Sequence, residues 1–219
     1  MKFKNKMRQL ITILFIAISF TVFGQNSDQG KKLLQEVSKK VKSYDNISIE
    51  FKYVLENKAE NVKQETRGDV VLQGDKYVLN ILGATRMYDG KKTYTISSDD
   101  EEVTISSNDV MDEDNVTPSK MLSFYEEGYV YKMDIEQNIQ GRKIQYVKLI
   151  PIDSNSEIKD ILLGIDAQTK HIYRLIQTGK NGTKTTLTVN SFKTNEPLPK
   201  TLFIFDAKKY ADYYINNLD

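Results

Sequence analysis

The chain has 219 residues, 31 Lys+Arg against 30 Asp+Glu, a formal charge of +1, and neither cysteine nor tryptophan. That balance leaves no clustered basic footprint for nucleic acid. The lack of cysteine excludes disulfide staples and thiolate metal sites, so stability must come from packing alone.

Residues 1–24 are set apart from the fold. Lys2, Lys4, Lys6 and Arg8 form a basic leader, Leu10 to Phe23 is an uncharged apolar run of 14 residues, and Val22-Phe23-Gly24 offers a small residue before a cut. This is the pattern of a secretory signal peptide, too short for the roughly 20 residues of a spanning helix. The mature chain is expected to start near Gln25, as one domain over 25–219. Losing four cations takes its formal charge from +1 to −3. No cysteine stands at the cleavage site to carry acyl chains, so the exported chain is expected to be soluble in the periplasm.

Ser27 to Lys42 place Leu33, Leu34, Val37 and Val41 at helical spacing, an amphipathic helix whose apolar side must cover something. The period then changes. Ile47, Ile49, Phe51, Tyr53 and Leu55 alternate with mostly polar residues, which predicts a first strand from Asn46 to Leu55. A charged connection from Glu56 to Glu65 follows. Arg67 to Ile96 reads as three strands joined by turns at Gly74-Asp75 and Asp89-Gly90, with Val70, Leu72, Tyr77, Leu79, Ile81, Tyr94 and Ile96 in the apolar phase.

Acidic residues then dominate. Asp99, Asp100, Glu101 and Glu102, and further on Asp109, Asp112, Glu113 and Asp114, bracket a short strand from Val103 to Ser106. Their spacing lacks the alternating ligands, glycine and distal glutamate of a calcium loop, so a solvated turn is expected and no metal. Thr117-Pro118-Ser119-Lys120 opens a short helix with Met121, Leu122, Phe124 and Tyr125 on its apolar side and Gly128 as its stop. Strands are predicted at Tyr129 to Ile135, Lys143 to Ile150, Ile158 to Ile165, His171 to Gln177 and Thr183 to Phe192. Lys180-Asn181-Gly182 marks a hairpin between the last two. Leu202 to Phe205 is expected to add one more short strand.

Catalytic chemistry finds little support. His171 is the only histidine, no nucleophile elbow or phosphate-binding glycine loop is present, and a carboxylate pair has no specific motif behind it. No catalytic residue and no cofactor are expected. Several of the 13 tyrosines fall on the apolar phase of strands, Tyr53, Tyr77, Tyr94, Tyr129 and Tyr131 among them. They suit either an aromatic core with hydroxyls at its rim or the lining of a lipid or peptide pocket.

The order of parts adds a further indication. A leader without a lipid-attachment cysteine, an amphipathic helix, Gly68-Asp69-Val70-Val71-Leu72, Asp89-Gly90-Lys91, Thr117-Pro118-Ser119-Lys120-Met121-Leu122 and Phe203-Ile204-Phe205 together resemble the periplasmic lipoprotein carrier LolA family. The resemblance implies a mainly β fold: an unclosed, strongly curved antiparallel barrel lidded by short helices. It also implies an apolar cavity for the acyl chains of lipoproteins in transit, received from an inner-membrane ABC-type releasing complex and passed to an outer-membrane acceptor. On that basis Phe51, Tyr53, Val70, Leu72, Leu79, Ile81, Tyr94 and Ile96 are the expected cavity lining. Leu34, Val37, Met121, Leu122 and Phe124 are the expected lid, on a monomer. An arginine-proline pair ties the lid to the barrel in well-known members; Gly74-Asp75 stands at the matching positions here, so the resemblance does not carry that latch over. The alternative reading is a periplasmic lipid-sensing or scaffold protein on the same half-barrel, and a third is a hydrolase with a carboxylate pair.

Overall fold

The computed structural model describes residues 26–107, 118 and 120–218. The leader and its cleavage site, Asp109 to Asp114, Thr117 and Ser119 lie outside the described residues. A helix over 26–41, α1, is followed by β1 (Ile47–Asn57), β2 (Val62–Gln73), β3 (Lys76–Ile81), β4 (Ala84–Tyr88), β5 (Thr93–Ser97) and β6 (Glu102–Ser106). Two 3₁₀ turns, Lys120–Leu122 and Phe124–Glu126, lead to β7 (Tyr129–Ile139), β8 (Arg142–Pro151), β9 (Ile158–Asp166), β10 (Ile172–Gly179) and β11 (Lys184–Thr194). A third 3₁₀ turn, Ala207–Tyr210, precedes β12 (Tyr214–Asn217).

All twelve strands form one curved, unclosed sheet in the order β12-β6-β5-β4-β3-β2-β1-β11-β10-β9-β8-β7. Every pairing is antiparallel except β12 with β6. Short hairpins explain the order within β1 to β6 and within β7 to β11, and the pairing of β1 with β11 joins the two runs. At 140–141 the chain turns through Gln140 (φ 52°) and Gly141 (φ 78°), two positive-φ residues whose twist matches that of the flanking strands.

The structure corrects four expectations. Glu56 to Glu65 is a hairpin that continues β1 into β2, closed by Asn57, whose side-chain carbonyl accepts from the backbone N–H groups of Ala59 and Glu60 at 3.1 and 3.3 Å. Polar alternation there hid two strand ends. Arg67 to Ile96 holds four strands, since an additional turn at Leu82-Gly83 separates β3 from β4. Leu82 (φ 54°) occupies a position that asparagine usually fills, so the turn carried no composition signal. Leu202 to Phe205 forms turn and extended chain instead of a strand, because Phe203 and Phe205 are used for packing. The segment around Met121 is a pair of 3₁₀ turns, not a continuous helix.

The core divides into two clusters. One holds Leu34 and Val37 of α1, Tyr125, and Tyr131, Val147, Leu149, Ile161, Leu163 and Ile165 of β7 to β9. The helix comes close to the sheet at Gly30, where an added Cβ would stand 3.3 Å from both Tyr131 and Val147 side chains. The second holds Ile47, Ile49 and Phe51 of β1 with Val70, Leu72 and Tyr77. Val41 and Leu122 pack against both clusters.

Candidate functional site

Strand register decides which residues share a face, because directly opposed residues of an antiparallel ladder point the same way. One row runs Met133, Val147, Leu163, Leu175, Leu187, Tyr53, Thr66 across seven strands. A parallel row runs Val189, Phe51, Gly68, Ile81, Ala84. We call this the inner face, since α1 and both core clusters lie on it. A bulge opposite Glu50 and Phe51 leaves Asn190 without a partner, so that Leu187, Val189 and then Phe192 all point inward.

Most of the expected lining is brought together here. Phe51, Val70 and Leu72 are buried, and Tyr53, Leu79 and Ile81 pack half-buried against the same cluster. Leu175, Leu187, Val189 and Phe192 extend that half-exposed apolar surface and were not anticipated, although their alternation in Thr183 to Phe192 was readable. Gly68 lets the Phe51 ring lie across β2: an added Cβ would come within 2.7 Å of Phe51 Cζ and 2.6 Å of the Asn80 carbonyl oxygen. A cavity of about 670 Å³ beside the Leu82-Gly83 turn is lined mainly by the outward-facing polar residues Glu50, Arg67, Asp69, Asn80 and Thr85 and is not part of this apolar surface.

Tyr94 and Ile96 are elsewhere. Tyr77 opposes Tyr88, and Tyr88 opposes Thr93, so Thr93, Thr95 and Ser97 face inward while Tyr94 and Ile96 face outward with Met87, Val103 and Ile105. The apolar phase changes face at β4. The cause is the C-terminal tail, whose Phe205 stacks on Tyr94 with ring centroids 4.4 Å apart and in turn on Tyr210. Period-two patterning reports a dry face without saying which side it is.

The expected lid residues divide likewise. Leu34 and Val37 are buried over β7 to β9, whereas Leu122 alone of the 3₁₀ turns bridges the two clusters. Phe124 packs with the first cluster, and Met121 is half-buried outside both. Polar contacts fasten this segment. Ser38 Oγ donates to Glu126 Oε1, Lys42 Nζ donates to Glu126 Oε1 at 2.8 Å, and the Tyr131 hydroxyl donates to the carbonyls of Tyr125 and Glu126 at 2.9 Å each. Lys42, then Ser38, hold the Glu126 carboxyl below the usual carboxylate range against a smaller opposing effect of burial. This clasp was not anticipated, as it joins residues 88 positions apart.

His171 is structural. Its ring stacks on Phe192 at 4.0 Å, and Nε2 shares a 2.8 Å hydrogen bond with the Tyr44 hydroxyl. Burial, with Lys40 nearby, pushes its pKa below 6.5. Burial alone would raise the Asp166 carboxyl, yet backbone N–H groups of Thr169 and Gln168 and the Arg142 guanidinium at 2.8 Å leave it below its ordinary value. No group of three or more His, Asp or Glu side chains among the described residues is placed to hold a metal ion, and no described helix is long and apolar enough to cross a membrane.

An unclosed antiparallel sheet with an apolar inner face under helical cover defines a half-barrel of the kind that can hold a ligand along its strands. The family model described as outer membrane lipoprotein carrier protein LolA matches residues 42–206, and the chain belongs to the LolA family. Among solved structures, an uncharacterized conserved protein from Thermus thermophilus is similar, with 12% identity, a TM-score of 0.59, and coverage of 86% of this chain and 99% of that one. LprF from Mycobacterium bovis is similar over 80% of this chain and 98% of its own, with 13% identity and a TM-score of 0.52. No curated protein sequence matches the chain.

Proposed function

We propose that this protein is a periplasmic carrier that holds the acyl chains of lipoproteins on its inner face, taking them from an inner-membrane ABC-type complex to the outer membrane. The observation that carries the reading is the half-exposed apolar row Tyr53, Leu79, Ile81, Leu175, Leu187 and Val189, lying between two well-packed clusters. Left empty, such a surface keeps part of its apolar area in water. An acyl chain laid along it gains about 0.8 kcal/mol per buried methylene.

Leu122 is the movable part in this reading. It touches both clusters, so displacing its 3₁₀ turn opens the inner face without dismantling either core. The Lys42–Glu126 ion pair of the clasp, between exposed side chains, resists that motion weakly enough to be reversed. Binding and release need no bond chemistry and no cofactor. The leader 1–24 would direct export and be removed, leaving 25–219 as the working domain.

Native mass spectrometry of the protein purified from its own periplasm tests the reading. A mass excess that resolves on gentle activation into acyl lipid or an acylated protein is expected. A preparation with no such adduct, unable to take up a diacylated lipopeptide, would overturn it.

A further inference from the structure

The two edges of the sheet are finished differently. β7 is blunted: the Asn26 side-chain carbonyl accepts the N–H of Met133 at 2.6 Å, a bulge falls between Met133 and Glu136, and Lys132, Asp134 and Glu136 put charge along the strand. β12, at the other edge, has none of these devices. Tyr214-Ile215-Asn216-Asn217 holds no charge and no proline, and its pairing with β6 runs without a bulge. Tyr214 N–H donates to the Glu101 carbonyl at 2.8 Å and Leu218 N–H to that of Ile105 at 2.9 Å. By strand alternation Asn216 also turns its backbone to β6, while Ile215 and Asn217 turn theirs away from the sheet. Tyr214, Ile215 and Leu218 are 68%, 44% and 65% exposed, so apolar side chains accompany the open ladder.

Charge beside this edge selects its occupant. Asp99, Asp100, Glu101 and Glu102 lie at the turn from β5 to β6, where Glu102 opposes Tyr214, and none has an ion-pair partner among the described residues. A second copy paired through β12 would bring Ala211 to Leu218, which hold Asp212 and no cation. A basic partner compensates the turn; a second copy does not. We propose that β12 is a docking edge for an extended segment of a partner protein, added as one more strand, with apolar side chains against Tyr214, Ile215 and Leu218 and lysine or arginine at the acidic turn. Antiparallel addition, the stronger ladder, puts those cations at the C-terminal end of the segment. Strands β4 to β6 separate this edge from the inner-face apolar row, so the carrier reading stands whichever way the test falls.

The probe is a fluorescein-labelled peptide, Thr-Val-Thr-Val-Thr-Val-Lys-Arg-Lys, set against the same peptide ending in Glu-Asp-Glu, with the mature protein and fluorescence polarisation as the readout. The basic peptide should bind saturably and at least about tenfold more tightly than the acidic one, with a preference that shrinks as salt is raised. Asn217→Pro removes an outward N–H and keeps every apolar side chain, and proline is tolerated on an edge strand. It should weaken the basic peptide at least about fivefold and leave the melting temperature unchanged. Asp99→Asn/Glu101→Gln, which leaves the edge backbone intact, should bring the two peptides to equal affinity. Equal affinity in the wild type, no binding of either peptide, or full binding in a folded Asn217→Pro protein would each overturn the proposal. A wild-type dimer in analytical ultracentrifugation that Asn217→Pro dissociates would also overturn it, by giving the edge to a second copy.

Discussion

Gly68 shows how one residue fixes the inner face. With Asn80 O and the Phe51 ring both within 2.7 Å of any added Cβ, Gly68→Ala forces a backbone shift and should cost about 1–3 kcal/mol in urea unfolding. A Gly68→Ala protein as stable as the wild type would show that Phe51 has room to rotate away. Leu82 is the opposite case, 70% exposed with φ 54° and with nothing buried to show for it. Leu82→Asn should therefore stabilise by about 1 kcal/mol through relief of the left-handed backbone. His171 supplies the pH dependence. Its folded pKa is depressed, so the unfolded chain binds the proton first, and stability is complete above pH 6.5 and falls as pH drops through the folded value. As this is the only histidine, His171→Gln should flatten the stability profile on the acid side of pH 6.5.

At the scale of elements, Leu122→Asp places a charge where the 3₁₀ turn meets both clusters. It should weaken acyl-ligand binding at least about tenfold and leave the β circular dichroism intact. Unchanged binding in the folded variant would make this segment an ordinary surface turn. The tail makes a contrasting prediction: Phe205→Ala uncovers Tyr94 and should lower the melting temperature without changing acyl affinity, because both rings lie on the outer face. These elements also show what the sequence could convey. Strand positions from β7 to β11 and the helix from residue 26 were legible in their periods. The face of Tyr94 and Ile96 was not, because the Leu82-Gly83 turn carries a leucine and because the four-residue turn after Tyr88 resets strand parity. The Glu126 clasp depends on tertiary proximity alone, for which local patterning holds no sign.

For the whole molecule, the unequal distribution of dryness is what the proposed carrier role rests on. β5 and β6 put their apolar residues outward under the tail, while β1 to β3 and β7 to β11 put most of theirs inward, leaving an apolar inner wall only partly covered by α1 and the 3₁₀ turns. A closed core would have buried that wall; a binding surface keeps it available. The most direct test is native mass spectrometry of the mature protein with a tripalmitoylated lipopeptide, comparing wild type, Leu187→Asp and Tyr94→Ala. The account predicts a one-to-one adduct for the wild type and Tyr94→Ala and its loss in Leu187→Asp. An adduct retained by Leu187→Asp, or absent from the wild type, would contradict it.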